Sequence, residues 1–183
     1  MSRNAPLPAC PRFVVETAPR SSPRRHAGEL RVACEIDAAH PAVRKRDRLD
    51  RYFPMLAPSR SLVQWLADDP DRLDEFARRY RRELQDQPAP CETLRRLAWD
   101  APLTLTYREG LAGRHGALAL QRHLEQLECF RRWDQGWMIG GEVNALRDEI
   151  ERHGGLWLAR HKVWMMPDQA SWQRVQARRR YVL

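Results

Sequence analysis

Between residues 56 and 127 the chain alternates helix-like and strand-like patterns, and no other feature constrains its fold as strongly. After Asp69, apolar residues recur at steps of three and four: Leu73, Phe76, Ala77, Tyr80 and Leu84. This spacing predicts a helix with one buried face and an arginine-rich outer face. The run Leu-Thr-Leu-Thr-Tyr at 103–107 follows Pro102 and predicts a buried strand.

Capping residues and breakers set the other elements of this region. Ser59 is placed to cap a helix whose apolar residues are Leu62, Val63, Trp65 and Leu66. Asp69 and Pro70 suit the cap and the first turn of the next helix. Residues 85–90 predict a linker, residues 94–98 a short helix and residues 117–128 a longer helix.

The first 51 residues add two strands and a charged segment. Residues 1–11 hold three prolines among polar neighbours and predict a disordered arm. Residues 12–17 and 30–36 have strand-like content, and residues 37–51 predict a charged loop or short helix. Because strands alternate with helices, we expect an α/β domain over 12–130 with a Rossmann-like parallel sheet and flanking helices.

The composition changes after Phe130, where tryptophan becomes frequent. Five of the seven tryptophans follow it: Trp133, Trp137, Trp157, Trp164 and Trp172. Asn144 is placed to cap a helix that Gly154 ends, residues 156–158 and 162–166 predict two short strands, and Asp168 is placed to cap a last helix. We therefore expect a small Trp-rich strand–helix–hairpin–helix unit over 131–183, in which the tryptophans supply buried area.

The motifs of the first domain are mostly core and capping residues: Leu56-Ala-Pro-Ser, Trp65-Leu66, Asp69-Pro70, the run 76–84 and Pro102-Leu-Thr-Leu-Thr-Tyr. With these motifs, residues 12–128 resemble the YeaO-like family, which is family 488 of the domains of unknown function. The resemblance implies the fold of that family but no settled biochemical activity.

The polar signatures of that family are largely replaced here. The family loop Asp-Arg-Leu-Trp-Pro-Arg-Gly reads Ile-Asp-Ala-Ala-His-Pro at 36–41, and the family pair Asn-His reads His115-Gly116. Ligands of open α/β sheets bind at the carboxyl ends of the strands. A site rebuilt there has six candidate residues: His40, Tyr107, Arg108, Glu109, Arg114 and His115. The alternative is that all six are ordinary loop residues.

A second resemblance lies in the C-terminal unit. The pattern Gly154-Gly-Leu-Trp157 followed by Lys162-Val-Trp-Met-Met-Pro167 is similar to small modules, including the HARP domain, that occur beside DNA-processing proteins. By this resemblance, the basic residues of the hairpin and of the tail are candidates for nucleic-acid contact: Arg160, His161, Lys162, Arg174, Arg178, Arg179 and Arg180. The alternative is that this unit has only a structural, packing role and does not contact nucleic acid.

The net charge of +8 bears on the partner. Thirty of the 32 basic residues are arginines, and base composition of the genome explains much of that ratio but not the positive excess. A positive surface favours a polyanionic partner such as DNA or RNA. The dense segment 44–51 and the tail both contribute to it.

Cysteine and histidine spacing predicts neither a metal site nor a disulfide. The four cysteines form no CxxC pair and the six histidines are scattered, so no tetrahedral zinc spacing exists. We expect reduced thiols, with Cys34 and Cys129 buried. Glycines 110, 113 and 116 match neither a dinucleotide nor a P-loop motif, so no cofactor is predicted.

No run of 18 apolar residues exists and residues 1–12 lack an apolar stretch, so we expect a cytoplasmic protein without membrane association. The sequence favours a non-enzymatic protein that associates with DNA or RNA through its C-terminal unit. Two alternatives stay open: a small enzyme with a site near His115, and an adaptor whose exposed tryptophans bind a protein partner. The oligomeric state is not predicted.

Overall fold

The computed structural model describes residues 13–35, 40–159 and 161–182, with side chains through residue 179. The chain divides into two compact units, Phe13–Leu127 and Glu128–Leu183. Within the described residues no helix is both long and apolar enough to cross a membrane. The predicted arm 1–11, residues 36–39 and Arg160 lie outside the described part.

The first unit is a mixed α/β structure built on a parallel four-stranded sheet. Its strands are β1 (Val15–Pro19), β2 (Leu30–Ala33), β3 (Arg51–Tyr52) and β4 (Leu103–Tyr107), in the order β1-β4-β2-β3. The helices are α1 (Pro41–Arg46), α2 (Arg60–Asp68), α3 (Leu73–Gln85), α4 (Pro88–Asp100) and α5 (Leu111–Asp134), whose residues from Glu128 onward are counted in the second unit. The predicted parallel sheet is confirmed, while the Rossmann-like detail stays a prediction.

The main hydrophobic cluster of the first unit takes alternate residues of the strands, which point to one side of the sheet. Val32 and Leu105 from the strands meet the buried stripe of α3 there. Phe76, Tyr80 and Leu84 are 0%, 1% and 1% exposed, which confirms the helix face predicted from their spacing.

Three helices begin elsewhere than predicted. α3 starts at Leu73 because the Asp69 carboxylate accepts the Asp71 N–H at 3.2 Å and makes a separate turn. α4 starts at Pro88, inside the predicted linker, since the first turn of a helix tolerates prolines that lack an N–H. α5 starts at Leu111 rather than Ala117 and therefore takes in Gly113. The cap at Ser59 is confirmed, its hydroxyl accepting the Leu62 N–H at 3.2 Å.

The second unit carries an antiparallel sheet in the order β5-β7-β6. Its elements are β5 (Met138–Gly140), α6 (Arg147–Arg152), β6 (Leu156–Leu158), β7 (Val163–Met165) and α7 (Gln169–Val182). Asn144 starts a short 3₁₀ turn before α6 and not α6 itself. Gly154 has φ +76, as its predicted helix-ending role requires, and Asp168 accepts the Ser171 N–H at 2.7 Å at the start of α7.

The tryptophans of this unit are not uniformly buried. Trp164 belongs to the core with Ile139 and Ile150. Trp133 and Trp157, in contrast, are 42% and 44% exposed. The expectation that all the tryptophans supply buried area is therefore wrong for Trp133 and Trp157. The position of a residue in a helix or strand does not by itself predict which face another element covers.

Candidate functional site

A cleft of about 690 Å³ opens at the carboxyl ends of β2 and β4 in the first unit. The parallel pairing of β2 and β4 brings these strand ends to one edge of the sheet, and residues from α2 and from the start of α5 complete the walls. Small-molecule sites have volumes of this order and are common at this position of α/β sheets.

The floor of the cleft is apolar and uncharged. Leu105, Leu120 and the ring of Tyr80 form much of it, and the Tyr80 hydroxyl donates to the Leu56 carbonyl oxygen. Burial raises the pKa of Tyr80 well above its usual value. Burial also raises the pKa of the Cys34 thiol, with a further contribution from Glu35, so this cysteine stays protonated and is a poor nucleophile.

The rim of the cleft carries polar and charged groups: Glu35, Arg60, Gln64, Tyr107, Arg108 and Glu109. Glu109 follows β4 directly and accepts a hydrogen bond from the Ser21 hydroxyl at 3.2 Å. No other hydrogen bond of the Glu109 side chain is present among the described residues. Its second carboxylate oxygen is therefore available to a bound molecule.

Glu35 organises the rim. Its two carboxylate oxygens accept the Arg108 N–H at 2.9 and 3.0 Å, and one of them pairs with the guanidinium of Arg20. The Arg20 side chain is only 7% exposed. Glu35 thus connects the ends of β1, β2 and β4. Sequence reasoning missed this role, although a carboxylate directly after the apolar end of a strand was a usable signal.

Gly113 lets the start of α5 approach this rim. A Cβ at this position would lie 2.3 Å from the Arg108 carbonyl oxygen and 3.0 Å from a Glu35 carboxylate oxygen. Glycine is therefore required where α5 passes the loop after β4.

The six predicted catalytic candidates separate into two groups. Tyr107, Arg108 and Glu109 line the cleft. The other three do not line it: His40, Arg114 and His115. His40 instead caps α1 by accepting the Ala42 N–H at 3.2 Å through Nδ1. Catalytic roles for all six stay predictions.

The predicted nucleic-acid residues lie in the second unit. His161 and Lys162 form the turn between β6 and β7, where Lys162 has φ +52. The His161 ring lies 5.2 Å from the ring of Trp133. On α7, Arg174 and Arg178 are exposed and Arg179 is half-buried, while Arg160 and the Arg180 side chain lie outside the described part.

Among the described residues, side chains that could bind a metal do not cluster. Across 13–35, 40–159 and 161–182, no three His, Cys, Asp or Glu side chains come together in a way that could hold a metal ion. Cys34, Cys91 and Cys129 are buried thiols, which confirms the predicted burial of Cys34 and Cys129. The absence of a bound metal stays a prediction.

Comparison with known proteins gives a family but no activity. The sequence model of the active DUF488-N3 subclade matches residues 15–105, which include β1, β2, β3 and the cleft residues up to Leu105 but not those from Thr106 to Leu120. Uncharacterized proteins of Mycobacterium bovis and of two Mycobacterium tuberculosis strains are each 38% identical over 89 residues, or 47% of this chain and 75% of theirs. No solved structure matches.

The family match ends before α5, so the likeness of the C-terminal unit to HARP-like modules stays a prediction. Residues 15–105 of the first unit match the subclade model, and the mycobacterial relatives are 38% identical with 75% of their length covered. The chain belongs to the DUF488 family.

Proposed function

We propose that the first unit binds a small molecule in the cleft at the ends of β2 and β4. If the protein is an enzyme, this cleft is its active site. The observation that carries the proposal is the combination of an apolar floor with a charged rim in one cavity of about 690 Å³. Such a site suits a ligand with an apolar body that carries an anionic or polar group.

The rim residues suggest a division of roles. Arg60 and Arg108 are the cations that can pair with an anionic group of the ligand. Glu109 is the carboxylate best placed to exchange a proton with the ligand, because one of its oxygens is available. Glu35 acts as a positioning residue, since both its oxygens are held by Arg108 and Arg20.

Filling the cleft tests this proposal. Ala117 lines the cleft and is half-buried, so Ala117→Phe places a ring in the ligand volume. The control is Ala89→Phe, on an exposed position of α4 outside the cleft. The probes are planar aromatic compounds with and without a carboxylate or phosphate group, followed by amide chemical shifts of the full chain.

We expect at least one probe to bind saturably and to shift the amide signals of residues around the cleft. Ala117→Phe should weaken the affinity for that probe by at least about tenfold. Ala89→Phe should bind as the unaltered chain does. Thermal melts establish that both variants are folded. Equal affinity of the two variants, or shifts that fall outside the cleft, would contradict a ligand site here.

A second candidate function is association with nucleic acid through the C-terminal unit. The observation that favours it is the exposure of Trp133 and Trp157 in a unit that also presents His161, Lys162 and Arg174. Exposed aromatic rings stack on bases, while basic side chains neutralise phosphates. A cytoplasmic location is part of this proposal.

We predict that Arg160→Ala combined with Lys162→Ala weakens binding to all nucleic-acid sequences alike, because phosphate contacts carry no base information. The salt slope on duplex DNA should become shallower by about 0.9 for each lost contact. Fluorescence anisotropy at several salt concentrations measures both. The charge-matched control is Arg78→Ala with Arg82→Ala, on the exposed face of α3.

An unchanged affinity and slope in the hairpin variant would reject the hairpin as the contact. Failure of the unaltered chain to bind single-stranded or duplex nucleic acid at low salt would reject this function. The exposed Trp133 and Trp157 would then favour the protein-adaptor alternative.

A further inference from the structure

A second cavity of the first unit, about 450 Å³, is lined mainly by arginine. It lies between the loop after β1 and the end of α1, separate from the residues that line the cleft. Five arginines line it: Arg20, Arg24, Arg31, Arg46 and Arg48. Asp47 is the one carboxylate among its lining residues.

Carboxylates around this cavity do not fully balance the five arginines. Arg46 pairs with Asp47 at 2.7 Å, Arg24 with Asp50 at 2.8 Å, and Arg20 with Glu35. Arg31 lies 3.6 Å from Glu29. Within the described part of the chain, the Arg48 guanidinium makes no ion pair, so one positive charge remains in excess.

The Arg31 guanidinium is deeply buried and incompletely bonded. Its side chain is 1% exposed. One terminal nitrogen donates to the Arg20 carbonyl at 3.0 Å and the other to the Pro23 carbonyl at 3.4 Å. Nε has no hydrogen-bond partner among the described residues. A buried donor of this kind is unfavourable unless another acceptor reaches it.

Arg48 adds an independent observation. It follows α1 with φ +52, in the left-handed conformation that favours glycine, and its N–H donates to the Lys45 carbonyl at 3.3 Å. Helices commonly end on glycine at this position. A strained arginine here indicates a use for its side chain, which is exposed at the cavity.

We propose that this cavity binds a phosphate-class oxyanion, with Arg48 and Arg31 as its principal ligands. Arg24, which Asp50 and the Glu29 carbonyl hold in place, contributes positive charge to the cavity wall. Planar guanidinium groups match the oxygens of phosphate. The Asp47 carboxylate opposes an anion, but Arg46 holds both of its oxygens, at 2.7 and 3.3 Å. The oxyanion is free phosphate, or the phosphate of a nucleotide or nucleic acid. The site does not depend on a ligand in the cleft.

Arg48→Gly tests the proposal without loss of the fold. Glycine suits φ +52, so we expect the melting temperature to hold or rise while the guanidinium is lost. The control is Arg44→Ala, an exposed arginine of α1 that does not line the cavity. Inorganic phosphate is titrated into the full chain at constant ionic strength, with chloride as the reference, and followed by calorimetry and amide shifts.

Phosphate should bind more tightly than chloride and shift amides around residues 20–24 and 46–48. Arg48→Gly should weaken the affinity for phosphate by at least about fivefold, whereas Arg44→Ala should weaken this affinity by less than about twofold. Phosphate indistinguishable from chloride, equal effects of the two variants, or shifts confined to other parts of the chain would each overturn the proposal.

Further titrations distinguish the sources of the oxyanion. Adenosine monophosphate is compared with adenosine, and an oligonucleotide without terminal phosphates is tested for displacement of inorganic phosphate. Binding of the monophosphate without displacement by the oligonucleotide supports a free phosphate or monoester site. Displacement by the oligonucleotide that Arg48→Gly weakens supports a phosphodiester. If neither compound displaces phosphate, the cavity takes the free ion.

Discussion

Replacing Arg132 with methionine should destabilise the C-terminal unit by about 3–5 kcal/mol. The Arg132 side chain is 1% exposed, and its Nε lies 2.7 Å from an oxygen of the fully buried Glu128. The guanidinium also donates to the Gly154 carbonyl at 2.9 Å and to the Met165 carbonyl. Without the guanidinium, the Glu128 carboxylate loses one donor and the two carbonyl groups lose theirs. Methionine still fills the space of the aliphatic part of the arginine side chain.

Urea unfolding of the full chain, followed by tryptophan fluorescence, measures this loss. The control is Arg152→Met. Arg152 pairs with Glu149, but its side chain is 65% exposed. Exposed pairs contribute little, so this variant should lose less than about 1 kcal/mol. A similar small loss in both variants would contradict the structural role of the buried pair.

The same pair gives the prediction a pH dependence. Burial raises the pKa of Glu128, but hydrogen bonds from Arg131 and Arg132 outweigh it and lower this pKa to about 2. Because the folded pKa lies below the unfolded value of about 4.5, the contribution of Glu128 is complete above that value and is lost as pH falls towards 2. The gap in stability between the unaltered chain and Glu128→Gln should therefore narrow over this range. A difference in unfolding free energy between the two proteins that does not change with pH would contradict this prediction.

Phe76→Ala should destabilise the first unit by about 3–5 kcal/mol, since deletion of a fully buried ring leaves a cavity. Phe76 is 0% exposed, and its ring centroid lies 6.2 Å from that of Tyr80, which also forms the cleft floor. Thermal and urea unfolding measure the effect. The matched control is Phe130→Ala, because Phe130 is 57% exposed. A loss for Phe76→Ala no larger than that for Phe130→Ala would contradict the core assignment.

Several features of the fold could be predicted because they depend on neighbours in the chain. The face of α3 follows from side chains three and four residues apart, and β4 was predicted at 103–107, where it lies. The caps of α2 and α7 depend on hydrogen bonds that reach only three residues, from Ser59 to Leu62 and from Asp168 to Ser171. The resemblance to the YeaO-like family was likewise stated from core and capping motifs of this local kind.

The site depended on contacts between distant residues. Glu35 accepts from Arg108, 73 residues later, and this contact exists only because β4 lies between β1 and β2. Of the candidates chosen by their position after a strand, Tyr107, Arg108 and Glu109 line the cleft. His115 does not line it, because α5 begins at Leu111 and takes this residue into the helix.

By itself the sequence determined the buried face of α3, the position of β4 and the caps of α2 and α7, because local spacing and short-range hydrogen bonds decide these. Only the tertiary structure decided the order of the strands, the union of Glu35 with Arg20 and Arg108, and the gathering of five arginines at one cavity. Those arrangements arise from packing between segments far apart in the chain, and no local pattern encodes which distant surfaces meet.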